Sequence, residues 1–243
     1  MTGDDIRKVI LKMHHAGNQG HVGCSLSIAD IICAINPGAS GTPEFVLSKG
    51  HAASALYAAL YLNGKIPFDL LEQFGSAALP GHPHRPLVRV ATGSLGMGLS
   101  IACGIALSKK DNVVSVLASD AELNEGAMWE AFMFAGHQKL CNLKLFVDRN
   151  GQQATGKTKD IIDIRSIWSS LNNFGWDCYY GPGHDIARMR EWLHTESEKP
   201  SAYVADTIFG KGVSFMEEQL DWHYRTMTDS EYCVAKSECE RNS

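Results

Sequence analysis

The feature that most constrains this chain is an alternation running from residue 112 to residue 210. Apolar, β-branched runs of strand length ("NVVSVLA", "LKLFVDRN", "WDCYYG", "SAYVADTIFG") are separated by helix-length segments, "NEGAMWEAFMFAGHQKL", "IRSIWSSLNNFG" and "DIARMREWLHTESE". A connection of that length carries the chain back to the end of the sheet where it started, so successive strands lie parallel and helices cover both faces. The expected fold class is α/β, a doubly wound, mostly parallel sheet with helices on both faces. Upstream, Thr2 and Asp5 suggest a capping box for a helix whose apolar stripe is Ile6, Val9, Ile10 and Met13. "SIADIICAI" reads as a helix, "FVLSKG" as a short strand, and "HAASALYAALYLNGK" as a helix ended by Asn63-Gly64. "NQGHVGCSLS" and residues 67–93 read as irregular, and "SLGMGLSIACGIALSKK" as a glycine-rich turn feeding a helix. No repeat or linker interrupts the chain, so residues 1–243 are expected to form a single domain.

Composition narrows the function classes. A net charge of −5 over 243 residues argues against bulk binding to nucleic acid or an anionic membrane surface. No apolar run approaches the ~18 residues that span a bilayer, and "MTGDDIRKVI" fits neither a secretory signal nor an Arg-rich transit peptide. Seven cysteines without a C-x-x-C pair point to reduced, mostly packed thiols in a cytoplasmic protein.

The stretch "VVSVLASDAELNEG" raises the functional question. An apolar run stops at Ala118, and Asp120, Glu122 and Glu125 follow at once. In a parallel sheet, ligands bind at the carboxyl ends of the strands, and "DRN" at 148–150 ends the next strand. Asp120 and the amide oxygen of Asn150 are hard donors that suit Mg²⁺ or Ca²⁺ better than zinc. Small residues at 119 and 121 would let backbone N–H groups approach a phosphate as the next helix begins. These residues therefore suggest a metal-bridged diphosphate; an acidic surface loop is the competing reading.

Six segments then resemble, in order, the thiamine-diphosphate-binding region of transketolases. "GHVGCSLSIADI" resembles G-H-P-G-x-x-L-x-x-A-D, and "LSKGHAASALYAAL" resembles L-S-K-G-H-A-x-x-x-x-Y. "PGHP" follows, then "ATGSLGMGLSIACGIAL", similar to T-G-x-L-G-Q-G. "SDAELNEGAMWEA" with "VDRN" resembles the G-D-G diphosphate motif and its later Asn, and "KGVSFMEEQLDWH" resembles the segment closing the domain. The resemblance implies that Asp120, Asn150 and the Gln152 carbonyl hold Mg²⁺ (or Ca²⁺ or Mn²⁺). It implies that Ser119, Asp120, Ala121 and Glu122 line the diphosphate, and that Gly93, Ser94 and Leu95 meet the aminopyrimidine ring. His21, His51, His82 and His223 match active-site histidines, of which His51 and His223 also contact the cofactor. Glu125 and Glu130 match carboxylates at the subunit interface. His14, His15, His137, His184 and His194 lie outside these motifs and are expected to be surface or packing residues.

The same resemblance implies that the pyrimidine-binding domain and the third, C-terminal domain are absent from this chain. The chain is then one subunit of a split transketolase, which moves a two-carbon ketol unit from a ketose to an aldehyde acceptor. A partner subunit would supply the Glu that activates the cofactor, in an α2β2 assembly acting on sugars or sugar phosphates. Alternatives are an acyloin synthase or 2-oxo-acid-processing relative, a non-catalytic regulatory subunit, or, from "GSLGMG", a dinucleotide-binding dehydrogenase. Three departures stand out: S-D-A replaces G-D-G, Met97 stands where Gln is common, and Val22 where Pro is common. Ser and Ala resist positive φ, so either those glycines are not needed for their dihedrals or the loop is reshaped.

Overall fold

The computed structural model describes residues 1–163 and 167–241. Five parallel strands form one sheet: β1 (Glu44–Leu47), β2 (Val114–Ser119), β3 (Leu143–Arg149), β6 (Asp177–Pro182) and β7 (Ser201–Asp206). Their spatial order is β1-β2-β3-β7-β6. β4 (Gln152–Gln153) and β5 (Gly156–Lys157) make a separate two-residue antiparallel ribbon. The expected α/β fold with helices on both faces is therefore present.

The central strands are buried on both faces, so they read as continuous apolar runs rather than alternating ones. From β2, Val114, Val116 and Ala118 pack on one side with Leu99 and Ala102 of helix Met97–Ser108 and with Met128 and Phe132 of helix Gly126–His137. Leu117 turns to the other side, joining Leu47, Phe146 and Tyr203 against helices Gly3–Gly17, Ala29–Ile35 and Ala53–Leu62. Each large apolar side chain buried this way contributes about 1.5–3 kcal/mol.

Local signals hold where they were clearest. Asp5 N–H donates to Thr2 Oγ1 at 3.1 Å and Thr2 N–H to Asp5 Oδ2 at 2.7 Å, the reciprocal capping box. Residues 67–93, expected as irregular, hold the short helix Phe68–Leu71, and two further readings need correction. "NQGHVGCSLS", expected as a loop, contains the helix Val22–Ser27, entered through His21 at φ 65°. A helix at Asp229–Arg241 had no counterpart in the sequence reading, because its buried positions are only Ala235 and Cys239 and no apolar stripe announces it. The helix expected over residues 164–175 is observed as Ile167–Asn173; residues 164–166 lie outside the described residues.

Two histidines outside the motifs are packing residues. His184 Nδ1 lies 2.7 Å from Asp30 Oδ2, Asp30 is paired with buried Arg7, and His184 Nε2 accepts from Ile208 N–H. His14 is fully enclosed, with Nδ1 3.1 Å from Gln19 O and Nε2 2.8 Å from Ser54 Oγ. Burial lowers its pKa to about 4, so the unfolded chain binds the proton more readily between that value and 6.5. His14's contribution is fully present above pH 6.5 and is lost as pH falls toward 4. Urea unfolding at pH 7 and pH 5 is expected to differ by about 2 kcal/mol from this residue, and His14→Gln should flatten that slope.

Candidate active site

The carboxyl ends of β1, β2 and β3 bring the motif residues together. β1 ends at Leu47 and turns through Ser48, Lys49 and His51; β2 delivers Ser119, Asp120 and Ala121; β3 delivers Asp148, Asn150 and Gln152. A cavity of about 210 Å³ at this edge is lined by His21, His51, His82, Gly93, Leu95, Ser119, Ala121, Asn150, Gln152 and His223. Cys24, Lys49, Gln153, Ala154 and Tyr224 complete its wall. Ser94, Asp120, Glu122, Glu125 and Glu130 are not part of that lining.

Three imidazoles form one cluster, with His21 5.0 Å from His223 and 5.4 Å from His51 between ring centroids. His21 is held in the left-handed region, anchored by its N–H to His223 O at 2.9 Å. Burial lowers the pKa of all three, with the charge of Lys49 and the neighbouring imidazoles adding to it. His223 falls to about 4 and His51 well below its usual value, so the cluster is neutral at pH 7. Cys24 Sγ lies 3.6 Å from His223 Nδ1, and burial pushes the Cys24 thiol up to about 12. The protonated thiol therefore donates to Nδ1, which puts His223's own proton on Nε2.

Beneath the cavity lies a charged core that the sequence reading missed. Lys49 and Asp148 form a fully buried ion pair. Asp148 also accepts from Ser27 Oγ at 2.9 Å, Asn150 Nδ2 at 2.8 Å and Thr207 Oγ1. Burial opposes the charge on Lys49, but its surroundings, Asp148 first, outweigh this and raise its pKa. Both residues stood inside the quoted segments "LSKGH" and "VDRN", yet nothing in a sequence marks a lysine as buried.

Asp120 sits behind the cavity, facing an adjoining cleft shared with Asn150, Arg149 and Thr158. Its carboxylate accepts from Gly151 N–H and Thr158 Oγ1, each at 2.9 Å. Burial and the nearby Asp148 carboxylate push its pKa up to about 7. Two close carboxylates sharing one lysine leave a deficit of positive charge. Asn150 gives its Nδ2 to Asp148, which turns Oδ1 away from it, and Gln152 Oε1 is buried without a partner. An oxygen-only donor set short of positive charge fits a hard divalent cation.

The S-D-A loop needs no glycine dihedrals. Ser119 ends a strand, Asp120 has φ −62°, Ala121 opens a 3₁₀ turn, and neither Ser119 nor Ala121 has positive φ. Glu122 corrects the expectation of a diphosphate-lining residue. Its fully buried carboxylate accepts from Ser48 Oγ at 2.5 Å and from the N–H groups of Gly96 and Ser119, both at 2.9 Å. It ties three loops together instead of facing the cavity. The Ser119 N–H is thereby committed to Glu122 and the Ala121 N–H to Asp120 Oδ1 at 2.9 Å, while Ala121 itself stays on the cavity wall. Gly96 itself needs its freedom, since it starts helix Met97–Ser108 at φ 81°. On the outer surface, Glu125 and Glu130 are exposed, as are Met133 and Phe134 of their helix and Met97 and Ile101 of the helix beside it.

Comparison with known proteins agrees with this architecture. The family model described as "Transketolase, thiamine diphosphate binding domain" matches residues 3–240. The 6-deoxy-6-sulfo-D-fructose transketolase subunit of a Clostridium species is 36% identical, over 97% of this chain and 94% of the relative. A subunit of the apulose-4-phosphate transketolase of Phocaeicola vulgatus is 34% identical, over 93% and 88% respectively. Transketolase from Campylobacter jejuni superposes with a TM-score of 0.92 at 26% identity, over 98% of this chain. The chain spans 42% of that structure's length. The chain thus belongs to the transketolase family of thiamine-diphosphate-dependent transferases, as a counterpart of the family's thiamine-diphosphate-binding domain.

Proposed function

We propose that this chain is the thiamine-diphosphate-binding subunit of a split transketolase, transferring a two-carbon ketol unit from a ketose donor to an aldehyde acceptor. The observation that carries the reading is the convergence of the His21, His51 and His223 imidazoles with Gly93, Leu95, Ala121 and Asn150 on one cavity. Bound there with Mg²⁺, thiamine diphosphate supplies the electron sink that lets a carbon–carbon bond next to a carbonyl break and re-form. Asp120, Asn150 Oδ1 and the Gln152 carbonyl would hold the cation, and the Ala121 loop would face the diphosphate. Gly93 and Leu95 would present backbone to the aminopyrimidine ring.

The histidines do the proton work. Ketol transfer removes a proton from one hydroxyl and returns one to an aldehyde oxygen, and a neutral imidazole can donate at one nitrogen and accept at the other. His223, with its proton on Nε2, offers a donor; His21, with a buried and unpartnered Nδ1, has a nitrogen free to accept. Keeping the cluster neutral matters because charged imidazoles could not accept.

The pyrimidine-binding and C-terminal portions, with the Glu that activates the cofactor, are assigned to a partner polypeptide, since the two named relatives are subunits of comparable length. Purified chain with thiamine diphosphate and Mg²⁺ is expected to show no turnover of a ketose donor, and to gain it when the partner is added. Turnover by the chain alone would overturn the split-enzyme reading.

Exposed Met97, Ile101, Met133 and Phe134 lie on the helix pair that also carries Glu125 and Glu130. We assign this face to the contact between two copies of the chain in an α2β2 assembly, where the apolar groups leave water and the carboxylates meet partners. Sedimentation of the complete complex is expected to give two copies of each chain; a one-to-one complex at micromolar concentration would refute the assignment.

A further inference from the structure

His21, Cys24 and His223 each present a ligand atom, and these three atoms lie within 4.8 Å of one another. Among the described residues no other group of three His, Cys, Asp or Glu side chains meets that spacing. The Cys24 Sγ to His223 Nδ1 separation of 3.6 Å matches the ligand-to-ligand edge of about 3.6 Å expected for tetrahedral zinc, given Zn–S near 2.3 Å and Zn–N near 2.05 Å. Cys24 and His223 are buried, His21 Nδ1 is buried without a hydrogen-bond partner, and the cavity leaves a fourth position open. Two neutral imidazoles and one thiolate form the borderline-soft set that selects Zn²⁺ and Co²⁺ over Mg²⁺.

We propose that His21, Cys24 and His223 form a binding site for a thiophilic divalent cation, and that its occupation closes the cavity to thiamine diphosphate. Binding releases the Cys24 thiol proton to solvent: the sulfur lone pair and one lone pair from each imidazole bond the metal, and water takes the fourth position. The charge then balances at +1, next to Lys49, whose own charge is met by Asp148. Metal and cofactor exclude each other because the cation and its bound water occupy the His21–His223 side of the cavity that would face diphosphate and substrate. That second half rests on the proposed function; the metal site itself does not.

The test uses the whole 243-residue chain, freed of metal and without partner or cofactor. Titration with Co²⁺ is expected to give a thiolate-to-cobalt charge-transfer band at one metal per chain. Zinc calorimetry at pH 7 in buffers of different ionisation enthalpy should show one proton released per metal. A large excess of Mg²⁺ should leave zinc affinity unchanged. Cys24→Ser, nearly isosteric, should abolish the band and weaken zinc by more than about tenfold, and His223→Gln should weaken it similarly, with both variants checked for native circular dichroism. No band in the wild-type chain, or zinc affinity unaltered in both variants, would overturn the site. Simultaneous binding of Zn²⁺ and thiamine diphosphate would overturn the exclusion. Failure of the chain to bind thiamine diphosphate in any assembly would count against the proposed function while leaving the cobalt result standing.

Discussion

Lys49→Met is expected to destabilise the fold by about 3–5 kcal/mol and to lower the melting temperature by roughly 10 °C. The ammonium is buried against Asp148, with a further bond to Cys24 O at 3.3 Å. Removing it strands a carboxylate that no water reaches, so most of the cost is the desolvation of Asp148 and not the lost attraction. The companion variant Lys49→Met/Asp148→Asn removes both charges and should recover much of the loss. Thermal unfolding of the two variants separates these contributions. If the single variant melts within 2–3 °C of wild type (about 1 kcal/mol), the pair is not the electrostatic keystone of the strand ends. The substitution should also raise the pKa of His21, His51 and His223, because the Lys49 charge helps to hold them low.

Asp120→Asn is expected to weaken Mg²⁺-dependent binding of thiamine diphosphate by more than about 100-fold, since outer-shell partners of a metal alone are commonly worth 10–100-fold. The metal-free fold should be unharmed. Asn keeps one carbonyl oxygen, which can serve Gly151 N–H and Thr158 Oγ1 together at the cost of the Ala121 N–H bond, and the repulsion between Asp120 and Asp148 disappears. The two effects have opposite signs, which separates a ligand from a structural residue. Calorimetric titration in the complete complex, beside a melting curve of the metal-free chain, reads both. Unchanged cofactor affinity would remove Asp120 from the site. A large loss of metal-free stability would make it a structural residue.

Much of this architecture was legible in the amino-acid order, because it rests on local rules. β2 and β3 show as apolar runs, their helical connections show by spacing, and the Thr2–Asp5 capping box is written in four residues. The order of six motifs was legible too; of the residues it grouped, His21, His51, His82, His223, Gly93, Leu95, Ser119, Ala121, Asn150 and Gln152 line the cavity, and Ser94, Asp120 and Glu122 do not.

What tertiary structure decided is the state of charged groups. Glu122 resembles a phosphate-loop residue in sequence, yet its carboxylate is a buried tie between Ser48, Gly96 and Ser119, the first two far from it along the chain. Lys49 and Asp148 are 99 residues apart, so their pairing depends on β1 and β3 ending on the same edge of the sheet. The neutrality of His223 depends on burial and on the charge of Lys49, neither of which local order specifies. The chain spells out which groups are available and which backbone segments carry them. Their protonation and their partners follow from desolvation and Coulomb interaction, which act through space and exist only once the strand ends converge.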